Sequence, residues 1–446
     1  MYIDIYDYLL LPVYLLIFYF IVKKRSIKYT DQQIRNIFFT AFFLRMFGAF
    51  AYSLMLQYYY GYGDSFTYFY GSNYLREQLI LDINNVKYFF APAEEVAKWY
   101  VVEGPDLYYT GYMGTTSNLF VMKLAAIISF VSFNKFLITS LFFGLFSFIG
   151  QWKLFKVFNE VNQGRNQKLM AWAVLYTPSI WFWGSGLMKD SICLGVTGLL
   201  ISLLYKNLVK KEFKLMDIVY LAMLVFVLIS IKSYAVIILF ISLSTIVLFK
   251  FIKSLKHIFL KALVVLSFLF GAITLAFVAN FAEQVEILAK ESKAQVDSYQ
   301  RNYDAVNAED ERSSGSIEMK DIDPSLGGLL LHSPLAIVNC LFRPFIWESR
   351  KINILFSSIE TTLLILATLF LLFRTRIFGF FKIIFNNEYI LFALVISLLF
   401  SLTIGFTTYN FGTMTRYKTI LLPFYYFMLV SIYSNLPRSN ARLAKT

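Results

Sequence analysis

Charge is what this chain has least of. Asp, Glu, Lys and Arg make up 15% of its 446 residues, where a soluble domain carries about a quarter. Cysteine is nearly absent. Cys193 and Cys340 both lie in apolar runs, which leaves no disulfide framework and no cysteine spacing for a metal. There is no Walker phosphate loop, HExxH, CxxC or GxSxG, which argues against ATP hydrolysis within the chain. No polar stretch has the length of an ordinary soluble domain, and no repeat recurs at a fixed period.

What fills the chain instead is apolar. It is 58% hydrophobic and 19% aromatic, with a mean hydropathy of +0.61. Apolar runs recur along most of its length, many near the ~20 residues a helix needs to cross a bilayer. Membrane strands would instead alternate over about 10 residues. The expected fold is therefore all-α, a polytopic transmembrane helical bundle forming one domain over residues 1–446.

Eleven spans are predicted: 8–22, 36–56, one within 118–150, 169–186, 190–205, 215–231, 235–250, 262–281, 352–373, 389–408 and 419–436. Re-entrant or juxtamembrane half-helices accompany them. Residues 118–150 are too few for two crossings and a turn, so one crossing plus a half-helix is expected. Residues 329–345, "LLLHSPLAIVNCLFRPF", contain Pro334, Pro344 and Arg343 and are expected to be re-entrant or interfacial. The first apolar run precedes its basic cluster, "KKRSIK", and no small-residue cleavage site follows. It reads as a retained anchor with the N-terminus outside.

The Lys/Arg bias then assigns the sides. Connections holding Lys23, Lys24, Arg25 and Lys28, then Lys153, Lys156, Arg165 and Lys168, then Lys206, Lys210, Lys211 and Lys214 fall on one face, predicted to be cytoplasmic. So do those with Lys250, Lys253, Lys256 and Lys261, with Arg374, Arg376 and Lys382, and the C-terminal tail. The opposite face receives two larger loops, 57–117 and 282–328, the second acidic and carrying the flexible patch "EDERSSGS". The net charge of +13 thus belongs largely to the membrane, with no nucleic acid implied.

Cations on the other face are the informative exceptions. Lys189, Lys232, Arg343, Arg416 and Lys418 all fall at turns there, with Glu348 beside Arg343 in "LFRPFIWE". Each alone is explained by snorkelling or by pairing with the acidic loops. Together they suit a phosphate-binding pocket, Arg by its planar fork and Lys as a point charge. On the same face, "GYGDSFTYF" opens the first loop with Asp64, and "KDS" supplies Asp190. Asp64 is read either as the N-cap of a juxtamembrane helix or as a general base or metal ligand. Tyr68, four residues on, would share its helix face. Tyr68 and Trp347 are the aromatic candidates for sugar or acceptor contact, within what is otherwise an interfacial aromatic belt.

These segments, "YGDSFTYF", "YTPSIWFWGSGLMKDS", "LFRPFIWE" and "FGTMTRYK", resemble the GT-C class of integral-membrane glycosyltransferases and bacterial O-antigen-type polysaccharide polymerases. The resemblance covers most of the chain in layout but only these stretches in residues. It implies a polyprenyl-phosphate-linked or pyrophosphate-linked sugar donor bound at the outer face of a bacterial cytoplasmic (inner) membrane, in cell-surface glycan assembly. Asp64 would be base or metal ligand, Asp190 the second acid, and a divalent metal the possible cofactor. Membrane lipids and the lipid-linked sugar are the implied partners. The chain departs from the pattern in having an extra span before the first acid and no large soluble C-terminal domain. A polymerase, and a transporter or flippase for lipid-linked sugar, stay open as alternatives.

Overall fold

The computed structural model describes residues 2–103, 112–255, 257, 260, 326–349, 352–408 and 410–436. Regular structure among them is helical throughout. The chain divides into two compact units, Met1–Ile237 and Ile238–Thr446.

In the first unit, helix α1 (Ile5–Ser26) starts on a reciprocal capping box. The Asp4 carboxylate accepts from the Tyr6 and Asp7 N–H groups, and Asp7 accepts from the Asp4 N–H, satisfying donors that a helix start leaves open. α2 (Gln32–Met55) returns antiparallel and ends in a π turn over Leu56–Tyr60. There Gln57 accepts the Tyr2 N–H at 3.0 Å, and the Tyr8 and Tyr58 hydroxyls meet at 2.8 Å.

The expected first outer loop is largely helical where it is described: α3 (Asp64–Leu81), α4 (Lys87–Phe90) and α5 (Ala93–Glu103). Residues 104–111 lie outside the described residues. The crossing expected within 118–150 is α7 (Phe136–Val161), preceded by the 14-residue half-helix α6 (Thr116–Ser129). α7 starts beside the start of α1. Asp7 accepts the Leu137 N–H at 2.8 Å, and Lys135 bonds Asp4 at 2.6 Å. The two helices therefore run parallel.

The predicted span 169–186 is not one helix. It is α8 (Gln167–Ala171), a π turn over Trp172–Tyr176, α9 (Pro178–Trp183) and a non-helical lead into the next helix. The break has a local cause. Pro178 lacks an N–H and disfavours helical geometry in the residue before it, and Thr177 sits at φ −56°, ψ 124°. This broken segment lies along α2. The Tyr176 hydroxyl bonds the Ile37 carbonyl at 3.2 Å, and Tyr52 lies against Gly186.

α10 (Lys189–Leu204), extended by a π turn over Tyr205–Val209, packs parallel to α7. The contact is backbone on backbone. A Cβ on Gly150 would lie 2.0 Å from the Gly195 carbonyl oxygen, and one on Gly198 would lie 2.1 Å from that of Gly150. Small residues allow such an approach. α11 (Leu215–Ser254) has 40 residues and one break, at Lys232 (φ −144°, ψ 82°). Its first arm runs antiparallel to α10. Lys206 meets Asp217 at 2.8 Å near one end, and Lys232 meets Asp190 at 2.7 Å at the other.

In the second unit, α12 (Leu326–Phe342) covers most of the segment expected to be re-entrant or interfacial. Its backbone is helical through Pro334, and helical geometry ends at 343. The carbonyl that Pro334 frees belongs to Leu330, a residue on the exposed side of the helix. α13 (Ile352–Asn386) has a break at Arg376, and α14 (Glu388–Thr407) is N-capped by Asn387. α15 (Phe411–Tyr417), a 3₁₀ turn over Lys418–Ile420 and α16 (Leu422–Ser434) complete the described chain. The run from α15 to α16 lies parallel to α13 along a polar seam. Its rungs are Ser357 to Thr415 at 3.0 Å, Lys418 to Thr361 at 3.0 Å, and Thr368 to Tyr425 at 3.2 Å.

Among the described residues, seven helices are long and apolar enough to cross a membrane. The predicted count of eleven is not confirmed. The 169–186 segment is broken, while 215–231 and 235–250 match the two helical arms of α11 on either side of Lys232, which are taken together as one of the seven. The last helix has only 13 residues, and 262–281 lies outside the described residues, as does nearly all of the expected 282–328 loop. Large apolar side chains stay exposed along the long helices: Leu9 and Phe20 on α1, Phe226 and Phe240 on α11, Phe356, Leu363 and Phe373 on α13. Apolar surface of this extent suits lipid contact.

Candidate functional site

The first unit holds five of the ten expected residues, three of them bonded to the segment 112–118. Asp64 occupies the first position of α3, and Gly63, not Asp64, is the N-cap. The N-cap position expected for Asp64 thus falls one residue earlier, and a first-turn carboxylate complements the helix dipole. Asp64 Oδ1 accepts the Tyr112 hydroxyl at 3.2 Å, and the residue is half-buried. Tyr68 follows one turn on, as its spacing predicts. Its ring is buried and its hydroxyl donates to Asn118 Oδ1 at 3.3 Å. Lys189, first in α10 and half-buried, donates to Ser117 Oγ at 2.7 Å. One short stretch thus tethers a carboxylate, a tyrosine and an ammonium group.

Asp190 and Lys232 stand behind this group. They form a pair at 2.7 Å with side chains only 3% and 8% exposed. A charge pair that dry holds only with good geometry, and loss of one partner strands the other charge. The kink in α11 falls on Lys232 itself, so the pair ties the bend to the start of α10. The two residues expected as second acid and phosphate ligand are therefore bonded to each other.

Within the second unit, Arg343 is engaged by Glu348 and is not an open phosphate fork. Its Nε donates to Glu348 Oε1 at 2.9 Å and Oε2 at 3.2 Å, Nη2 bonds the same carboxylate, and Nη1 reaches Asn339 at 3.3 Å. Its guanidinium lies over the Phe411 ring at 5.1 Å. Lys418 is fully buried and donates to Thr361 and to the Arg343 carbonyl, the latter at 3.2 Å. Arg416 lies over the Tyr417 ring at 5.2 Å. Arg343 stacks on the first residue of α15, and Arg416 is the sixth of the same helix. Trp347 is 82% exposed and stacks on Phe345 at 4.8 Å. Arg350 and Lys351 lie outside the described residues.

Two charged residues escaped the sequence reading although the signal was present, since each interrupts a predicted span. Arg45 sits in the middle of α2, 2% exposed. Its Nη1 donates to the Ile180 and Gly184 carbonyls, both at 2.9 Å, and to Ser147 at 3.2 Å. It serves the carbonyls where the broken segment leaves helical geometry. Glu360, buried in α13, lies within electrostatic reach of Lys418. Tyr112, Ser117 and Asn118 carried no signal, because nothing local marks a residue as a tether for a distant helix. Among the described residues no group of three or more His, Cys, Asp or Glu side chains could hold a metal ion. Asp64 is the accessible carboxylate of the cluster, and one carboxylate alone is an incomplete ligand set for a divalent ion.

No protein-family model, curated protein or solved structure matches this chain. The class it displays is an all-helical chain with several membrane-length apolar helices.

Proposed function

We propose that the chain is a membrane glycosyltransferase that takes sugar from a polyprenyl-phosphate-linked donor. The observation that supports this most is the joint tethering of Asp64, Tyr68 and Lys189 by residues 112–118. A carboxylate and an ammonium group, both half-buried, are fixed to one segment at an end of the helices. In this reading Asp64 takes the proton from an acceptor hydroxyl as that oxygen bonds the anomeric carbon. The bond from that carbon to the phosphate oxygen breaks, and Lys189 offsets the charge left on the polyprenyl phosphate. The Asp190–Lys232 pair holds the helix end that carries Lys189. The site end of the first unit is the outer face, because the Lys/Arg-rich connections lie at the opposite ends of the same helices. The N-terminus is then outside, and by the same Lys/Arg bias the basic tail puts the C-terminus on the cytoplasmic side of a bacterial inner membrane.

The test is incubation of the purified protein with polyprenyl-phosphate sugars and glycan or lipid acceptors, measuring released polyprenyl phosphate. Release that disappears in Asp64→Asn, with expression retained, supports the reading. Full activity in that variant removes Asp64 from the chemistry. An oligosaccharide-linked donor consumed in place of a monosaccharide one selects the polymerase alternative.

A transporter or flippase is favoured by a different observation: Arg45 and Glu360 are buried within long apolar helices, where ionisable groups often mark transport paths. Movement of a lipid-linked sugar across proteoliposomes without release of polyprenyl phosphate would select it.

A further inference from the structure

At the end of the first unit opposite the Asp64 cluster lies an open groove of about 380 Å³. Tyr29, Ile34 and Phe155 line it together with Lys156, Asn159 and Glu160. The Lys156 ammonium stands 5.8 Å from the centre of the Tyr29 ring. Lys28, Lys153 and Lys210 are all within electrostatic reach of Lys156, against a single carboxylate, Glu160, which is bonded to Lys210 at 2.8 Å. Like charges gathered this closely repel one another, and an anion among them removes the conflict. Two polar atoms here are buried with no hydrogen-bond partner, Asn159 Oδ1 and Arg35 Nε. Arg35 also donates from Nη2 to the carbonyl of the groove residue Tyr29, at 2.9 Å. Buried polar atoms in that state are costly unless something satisfies them.

We infer that this groove binds the phosphate-bearing headgroup of an anionic membrane lipid, with Lys156 and its basic neighbours on the phosphate. The apolar lining of Tyr29, Ile34 and Phe155 takes the start of an acyl chain, which a free anion would leave empty. Asn159 accepts from a headgroup hydroxyl. Basic pockets between membrane helices on the cytoplasmic side recognise such headgroups by the same chemistry. The inference rests on the membrane placement of the chain and not on the transfer chemistry.

The test uses the full chain in mild detergent, with phosphatidylglycerol, phosphatidylcholine or inorganic phosphate alone, read by native mass spectrometry and thermal unfolding. Phosphatidylglycerol should be retained and raise the unfolding temperature. Phosphatidylcholine and phosphate should do neither. Lys156→Gln should lower phosphatidylglycerol retention about fivefold, the effect of one surface cation on an anionic lipid. Asn159→Leu should lower retention while leaving the lipid-free unfolding temperature unchanged or higher. Lys214→Gln, a loss of charge outside the groove, and Asp64→Asn should leave retention intact. Equal retention of phosphatidylcholine, equal protection by phosphate alone, or an equal loss in Lys214→Gln would overturn the inference.

Discussion

Asp190 and Lys232 show how far a single contact reaches. Each alone is a buried charge, and together they join the start of α10 to the kink in α11. Lys232→Met or Asp190→Leu alone should lower stability by about 3–5 kcal/mol, while the double replacement should recover most of that loss. Thermal unfolding of the three variants in detergent measures it, and a double variant no better than the singles would show that the pair is not the unit of stability. Asp64→Asn is expected to behave differently. Asn retains an oxygen for the Tyr112 hydroxyl, so folding should be kept while transfer is lost. Asp64 and Asp190 were both legible in the sequence as carboxylates at turns. Their different burial was not, since it depends on what packs over each.

At the scale of elements, the α7–α10 contact is the tightest test of packing. Gly150→Leu or Gly198→Leu should unfold or separate the helices, because a side chain there meets the partner's backbone. Gly379→Ala, with nothing nearer than 3.5 Å to the added carbon, should be silent or stabilising by up to about 1 kcal/mol. Unfolding temperatures of the purified variants check both. Arg45→Ala should cost about 3 kcal/mol or more, since it removes buried charge-assisted bonds to the Gly184 and Ile180 carbonyls, of which Ile180 keeps only the Gly184 N–H; Arg45→Lys should recover only part, having no planar fork. The break that Arg45 serves was half legible. Pro178 was visible in the sequence, but apolar composition reads the same for a broken crossing as for a whole one. One long helix beside a half-helix was legible from length, because 33 residues cannot make two crossings, but the run of α7 on to Val161, past the expected end at 150, was not.

For the whole molecule, the sharpest expectation concerns sidedness. Cysteines placed at Glu94 and Lys210 should label oppositely in intact cells, the first from outside and the second not at all. Labelling at 210 would overturn the orientation, and with it the outer-face reading of the Asp64 cluster. Composition, the lengths of apolar runs and the placement of Lys and Arg are local properties, and they determined the all-helical class, most helix positions and the expected sides. Which charged residues meet was decided only by the tertiary structure. Asp190 and Lys232 are 42 positions apart, and Lys189 reaches Ser117 across 72. A pocket of independent cations was a fair reading of residues expected on one face. Burial in a dry interior favours opposite charges that find each other, and whether they do depends on where helices cross, which no local pattern records.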